Sequence, residues 1–491
     1  MAHRTGFALC RIVFLAASIV VSGCGNGAGN SQPATAPGND ITGRADIAGA
    51  IDTYLAAPDA AALDRMLAAL ARANTTTAAE GRAVARLLAS IDDNQVATIR
   101  PELLGEVIDL ADVEGEALIV VRDTATGDLM RIASALFARI AATPADGAKD
   151  ASSSATPADV LLDTIRVLSR MQTEAGVTLI VRAANAGIDP ASYRWYRLFR
   201  AYEPDRQLGI RHPLASQLCT SLAAHLPGGA AAIALLDLAN TLCRAGQLRE
   251  HPFDSDAGHA ALEKLLTDTT ADDASFAHSA AGALAFIAVD ARNRLYELAA
   301  KFPDRGVQAE AAWGIARAGD ARGINALATM ATDVHQSFTA CEYLRELEHA
   351  DAIPDAARDP AFAAMAEMSA WLQYPTEFDR APDRISVFAS RDLFWPPANN
   401  ELRHVYLIRY DYDAHGNDKA ESGVGMVGPT TFALFGQATV DRTPDDLLAM
   451  YCNWELGARN ARPDAPTTAR ANDDAVAKGR RRLAEKNPSF R

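Results

Sequence analysis

Several residue clusters in this chain have types and spacing that could do chemistry. His251, Asp254, Asp256 and His259 fall within nine residues, offering the imidazoles and carboxylates that zinc takes. The same stretch also reads as an enlarged polar turn between helices, and no metal is expected there. Gly423-Val-Gly-Met-Val-Gly428 matches G-x-G-x-x-G letter for letter. A dinucleotide site needs that loop to open a helix whose N-terminus meets the pyrophosphate. Here Pro429 and the β-rich Thr-Thr-Phe-Ala-Leu-Phe follow, so a glycine-rich strand or bulge is expected. Asp411, Asp413 and Gly416 imitate the start of a calcium loop, but His415 replaces an oxygen ligand and Ser422 stands where a bidentate Glu is needed. A hairpin loop is the reading there, and no cofactor is expected anywhere in the chain.

Thiols are the next reactive groups. Cys219, Cys243, Cys341 and Cys452 have no C-x-x-C spacing. Cys219 and Cys243 would sit on antiparallel helices joined near Leu226–Ala230. Counted as continuous helix, they differ in height by roughly 9–10 Å, beyond the reach of a disulfide. Buried free thiols are therefore expected. G-x-S-x-G, H-E-x-x-H and P-loop motifs are absent from the sequence.

One segment is unusual for its aromatic density. Tyr193, Trp195, Tyr196, Phe199 and Tyr202 crowd a helix opened by Asp189-Pro190, interleaved with Arg194, Arg197 and Arg200. Trp195, Phe199 and Tyr202 share one face at i, i+4, i+7, which suits core packing. Tyr, Trp and Arg also dominate interface hot spots, so this helix is the candidate protein interface.

The elements around these groups are mostly helical. From Ala45 to about Pro144, apolar residues recur at helical spacing: Ile51, Leu55, Leu63, Met66, Leu67 and Leu70 form one stripe, and Val84, Leu87, Leu88 and Ile91 another. Residues 145–158 are small and polar, a linker, and the helical pattern resumes over 159–383. Within it Asp-Ala recurs at Asp256, Asp290, Asp320 and Asp351, and Ala280–Arg292 aligns with Ala311–Arg322 with one gap. These units resemble the HEAT-like repeats of α-solenoids, particularly the bacterial type that includes bilin lyase-like proteins. The resemblance implies a protein-binding surface, not bilin chemistry.

Near Arg384 the period changes to two. His404–Tyr412 predicts a strand, Val424–Gly436 a return strand broken at Pro429, and Ile385–Ser390 a third. A helix follows with Thr443 as N-cap and Pro444 at its first position. Residues 384–456 thus predict a small α+β domain, and 457–491, with nine basic residues against four acidic, a disordered basic tail. The fold class is mainly α: a HEAT-like α-solenoid followed by a small α+β domain.

The N-terminus reads as an address. Arg4 and Arg11 precede an apolar run from Ile12 to Val21, about 15 Å as a helix and too short to span a bilayer. Val21-Ser22-Gly23-Cys24 then closely resembles the bacterial lipoprotein lipobox. The resemblance implies a signal peptide over 1–23, cleavage before Cys24, and acylation of the Cys24 thiol and new N-terminus. Residues 24–44 predict a flexible tether, with a reach of roughly 25 Å. Gly25, where lipoproteins retained at the inner membrane often carry Asp, favours the outer membrane, facing the periplasm.

Composition sharpens the partner class. The chain of 491 residues carries a formal net charge of −15. With +2 in the signal and +5 in the tail, residues 24–456 hold about −22. That excludes a general nucleic-acid binder, which needs a basic face. The expected function is a non-enzymatic protein-binding scaffold anchored in the cell envelope through lipid on Cys24. A periplasmic inhibitor or immunity-type lipoprotein, or an envelope hydrolase with its site in 384–456, are the alternatives.

Overall fold

The computed structural model describes residues 47–70, 77–91, 116–142, 156–188, 192–204, 211–269, 274–374, 378, 380–414, 419–435, 437–458 and 473–490. The signal, Cys24, the tether, Asp189-Pro190, His415 and Gly416 lie outside them. The described chain is mainly helical, with one four-stranded antiparallel sheet near the C-terminus. Among the described residues, no helix is long and apolar enough to cross a membrane. The chain divides into two compact units, with the boundary between Leu298 and Ala299.

The helices of the first unit are α1 Ile47–Ala56, α2 Ala60–Leu70, α3 Ala78–Ser90, α4 Glu116–Ala142, α5 Pro157–Arg170, α6 Glu174–Asn185, α7 Ser192–Phe199, α8 Ala215–Ala223, α9 Gly229–Arg244, α10 Asp256–Thr267, α11 Ala274–Gly282 and α12 Val289–Ala299, whose last residue opens the second. The expected stripes are its core: Ile51, Met66, Val84, Leu87 and Leu88 are fully or almost fully buried. Local chemistry fixes the helix starts. Thr77 with Glu80, and Thr156 with Asp159, form capping boxes in which each side chain takes the other's backbone N–H. The second box starts α5 at Pro157, two residues before the sequence pattern resumes. Helix α3 packs on α4, α4 on α5, and α7 against both α5 and α9.

The second unit begins with α13 Arg305–Arg317, α14 Ala321–Met330, α15 Ser337–Glu346, α16 Asp355–Arg358 and α17 Pro360–Leu372. The small residues Ala312, Ala316, Ala331, Ala340 and Ala357 surround Leu327 and Leu344 in its helical core, so close packing needs few aromatics. Gly323 makes one approach possible, since a Cβ there would lie 2.3 Å from Ala312 O.

The sheet contains β1 Arg384–Trp395, β2 Glu401–Tyr412, β3 Glu421–Val427 and β4 Phe432–Phe435, each paired with its neighbour in sequence. Register pairs Asp392 with His404 and Tyr410 with Gly423. Helices α18 Gln437–Val440, α19 Pro444–Ala458 and α20 Asp473–Lys486 follow. The alternation on β2 sorts two cores. Val405 and Leu407, with Leu393, Trp395, Val424 and Met426, face α19 and α20 through Leu447, Leu448, Tyr451, Val476 and Leu483. Ile408, Tyr410 and Tyr412 face Ala364, Met368 and Leu372 of α17. Helix α17 therefore covers the sheet, and the helical part of this unit and the α+β part share a core.

The tail departs from expectation. Residues 473–490 are not disordered: α20 packs along α19, with Leu483 buried and Gly479 so close that a Cβ would fall inside Ala449 O. Its basic residues serve the contact. Arg480 pairs with Asp446, and Arg482 donates to Asn453 O at 3.0 Å and Asn453 Oδ1 at 2.9 Å. To the sheet core this segment contributes Val476, Leu483 and Phe490, too sparse to stand out in sequence among its charges.

Candidate functional site

Helix α7 divides the candidate interface residues between core and surface. Trp195, Phe199 and Tyr202 are buried within the first unit, so the expectation that these three offer docking surface is corrected. Their i, i+4, i+7 face is the one packed inward. Trp195 Nε1 donates to Ile188 O at 3.2 Å, and Tyr202 Oη donates to Ser169 Oγ at 3.0 Å. Tyr193, 40% exposed, and Arg197 remain at the surface, with Tyr196 half-buried.

Arg194 turns inward as well. Its Nε lies 2.8 Å from Asp159 Oδ1, and its Nη1 pairs with Asp163; all three side chains are 11% exposed. Burial raises the Asp163 carboxyl above the usual carboxylate range, although the Arg194 charge opposes it. This guanidinium holds α7 onto α5 and is committed to that contact.

Two further polar centres share one design. His212-Pro213-Leu214 and His251-Pro252-Phe253 stand 39 residues apart, each just before a helix. In each, the backbone N–H two residues on donates to the imidazole Nδ1: Leu214 N at 3.2 Å and Phe253 N at 3.3 Å. The ring hydrogen must then sit on Nε2. From there His212 donates to Ser169 O at 2.9 Å, and His251 to Asn240 Oδ1 at 3.1 Å. Burial pushes both imidazoles down, His251 to about 4. Both are neutral pins that fasten a turn to an earlier helix. The recurring His-Pro dipeptide is the sequence signal of this repeat.

His251, Asp254, Asp256 and His259 have separate roles. His251 belongs to its turn, while His259 Nε2 lies 2.9 Å from Asp254 Oδ1, which also accepts from Ala288 N at 2.8 Å. Asp256 sits at the first position of α10, behind the N-cap Ser255. Asp320 is likewise the N-cap of α14, and Asp290 lies in the first turn of α12. At these three positions the recurring Asp-Ala marks an α-helix start, where a carboxylate meets the positive end of the dipole, whereas Asp351 lies in the 3-10 turn Ala350–Ala352.

In the second unit, G-x-G-x-x-G lies along β3 and its end. A Cβ at Gly423 would meet Tyr410 Oη at 2.6 Å, and one at Gly425 would meet Met368 Cε at 2.2 Å. These glycines admit neighbouring side chains, as a glycine in a strand commonly does. Asp413 accepts from Arg384 Nη1 at 2.9 Å, while Asp411 accepts from Ser422 Oγ at 2.6 Å. His404 Nδ1 lies 2.5 Å from Asp392 Oδ1, in a solvent-exposed pair directly across β1 and β2.

Cys219, Cys243, Cys341 and Cys452 are buried free thiols, with Cys219 and Cys452 each pushed up to about 12 chiefly by burial. Ala224 is still in the αR region, His225 N donates to Leu222 O at 3.2 Å, and residues 226–228 have no regular structure, so counting along continuous helix does not set the register of Cys219 against Cys243. Ser216 Oγ donates to Gln247 O at 2.9 Å beside them, and the Cys243 charge acts on the Cys219 thiol.

No family model, no curated protein and no solved structure matches this chain.

Proposed function

We propose that this chain is a cell-envelope lipoprotein, held through lipid on Cys24 and acting as a non-enzymatic scaffold for a protein partner. The observation that carries the reading is Val21-Ser22-Gly23-Cys24 directly after a ten-residue apolar run with basic residues before it. Three acyl chains exceed what stable anchoring requires. On this reading the anchor is at the outer membrane and the body faces the periplasm. The helical hairpins stack as a HEAT-like solenoid, whose repeated units bury small-residue faces against each other. The partner surface includes Tyr193 and Arg197 on α7, and the charge of the body, about −22 over residues 24–456, suits a basic protein. Nucleic acid is not the partner on this reading.

Fractionation tests the anchor. The wild-type chain is expected in the detergent-soluble membrane fraction with acyl mass on Cys24, and Cys24→Ala in the soluble fraction. A Cys24→Ala chain that stays in the membrane overturns the lipid anchor. For the scaffold, Tyr193→Ala with Arg197→Ala should weaken partner capture from envelope extract at least tenfold while leaving the fold intact. Equal capture by the acylated double variant and wild type overturns that surface.

A further inference from the structure

We propose that Cys219 and Cys243 are an oxidisable pair that closes a disulfide between α8 and α9 on meeting a small disulfide donor or an oxidised dithiol protein. Two observations place the two thiols together. The hydrogen bond from Ser216 Oγ to Gln247 O, 2.9 Å, fixes the antiparallel register one turn away from both cysteines. Both side chains point away from solvent, Cys219 fully buried and Cys243 7% exposed. The other two buried thiols have different settings: Cys341 Sγ lies 3.7 Å from Ser337 Oγ, and Cys452 packs in the sheet core.

The chemistry balances as ordinary thiol–disulfide exchange. Cys243, the more accessible thiol, attacks the donor disulfide as its thiolate, forming a mixed disulfide and releasing one donor thiol. Cys219 then attacks the Cys243 sulfur, forms the intramolecular bond and expels the second donor thiol. The two cysteines lose two electrons and two protons, and the donor disulfide is reduced to two thiols. Burial and the neighbouring sulfur hold Cys219 protonated, with its thiol raised to about 12. Exchange therefore runs when α8, nine residues long, opens or first forms, and is slow in the closed state.

Incubation of the full chain with excess oxidised glutathione, with and without a sub-denaturing level of urea, tests this. Free thiols are then alkylated under denaturing conditions and the peptides mapped by mass. The expected product joins the Cys219 and Cys243 peptides, two hydrogens lighter than their sum, with Cys341 and Cys452 alkylated. Urea should accelerate its appearance at least tenfold. In Cys243→Ser, Cys219 should recover as an alkylated or glutathionylated single peptide. Complete alkylation of Cys219 and Cys243 in the wild type under both conditions, or pairing of either with another cysteine, overturns the proposal. Because no membrane or partner is present, the result is independent of the scaffold reading.

Discussion

Asn240 on α9 accepts the Nε2 hydrogen of His251 at 3.1 Å and donates its own amide hydrogen to Ser279 O at 2.8 Å. One side chain thereby ties the His-Pro turn before α10 to α11 as well as to α9. This arrangement requires a neutral imidazole. The folded-state value near 4 lies below the ordinary 6.5, so above pH 6.5 both folded and unfolded chains hold His251 uncharged and its contribution is complete. As pH falls from about 6.5 to about 4, the unfolded chain takes up a proton that the folded chain refuses, and stability is lost. The loss is roughly 2–3 kcal/mol at pH 4.5. Urea unfolding at pH 7.5 and 4.5 checks it, because His251→Gln should show a smaller acid loss than wild type. An unchanged difference between the two pH values would assign the effect elsewhere.

The division of α7 predicts opposite outcomes at adjacent positions. Trp195→Ala should cost roughly 3–5 kcal/mol, since it empties a buried site and removes the donor to Ile188 O. Tyr193→Ala should alter stability by only about 0.5 kcal/mol. Thermal unfolding of the two variants separates packing from surface. A Tyr193→Ala chain as unstable as Trp195→Ala would contradict the exposure of Tyr193.

Removing the Arg194 charge leaves two buried carboxylates facing each other. Arg194→Met should therefore destabilise the first unit by roughly 3–5 kcal/mol at neutral pH. The deficit should shrink on acidification, as the Asp163 carboxyl, already raised by burial, takes up a proton. Denaturation midpoints across pH 4.5–7.5 measure this, and a deficit that grows on acidification would refute the carboxylate account.

Gly479→Ala places a methyl where Ala449 O now lies, 1.6 Å from the added Cβ. Helix α20 must then lift from α19, at a cost of roughly 2–3 kcal/mol. Amide exchange of residues 473–490 should rise at least tenfold, with exchange in β2 changing much less. Unaltered protection in that segment would show that the helices can slide apart without separating.

The sequence disclosed most clearly what is periodic and local. Val405 and Leu407 alternate with Tyr406, Ile408, Tyr410 and Tyr412, and that alternation distributes them between the two cores of the sheet. Thr443 caps α19 as its type suggests, accepting from Asp446 N at 3.2 Å. What stayed hidden depends on long-range contact. Arg480 and Arg482 look like solvated tail charges until Asp446 and Asn453 are placed beside them. The register of Cys219 against Cys243 rests on the contact of Ser216 with Gln247, 31 residues away, which no local pattern reveals. Trp195 belongs to a hot-spot type and to a core type equally, and only packing decides between them.

The strand order β1-β2-β3-β4 follows the chain, so every pairing in the sheet closes a short loop. Loop closure of that kind costs little entropy, and folding speed rises as contacts become local. The sheet is thus a rapid element in kinetic terms, able to register its strands without waiting for a distant partner. Its covers come from both sides of it in sequence, α17 before and α19–α20 after. Interruption of synthesis between β4 and α19 would leave one apolar face of an already paired sheet bare, making that interval the point of greatest aggregation risk in this unit.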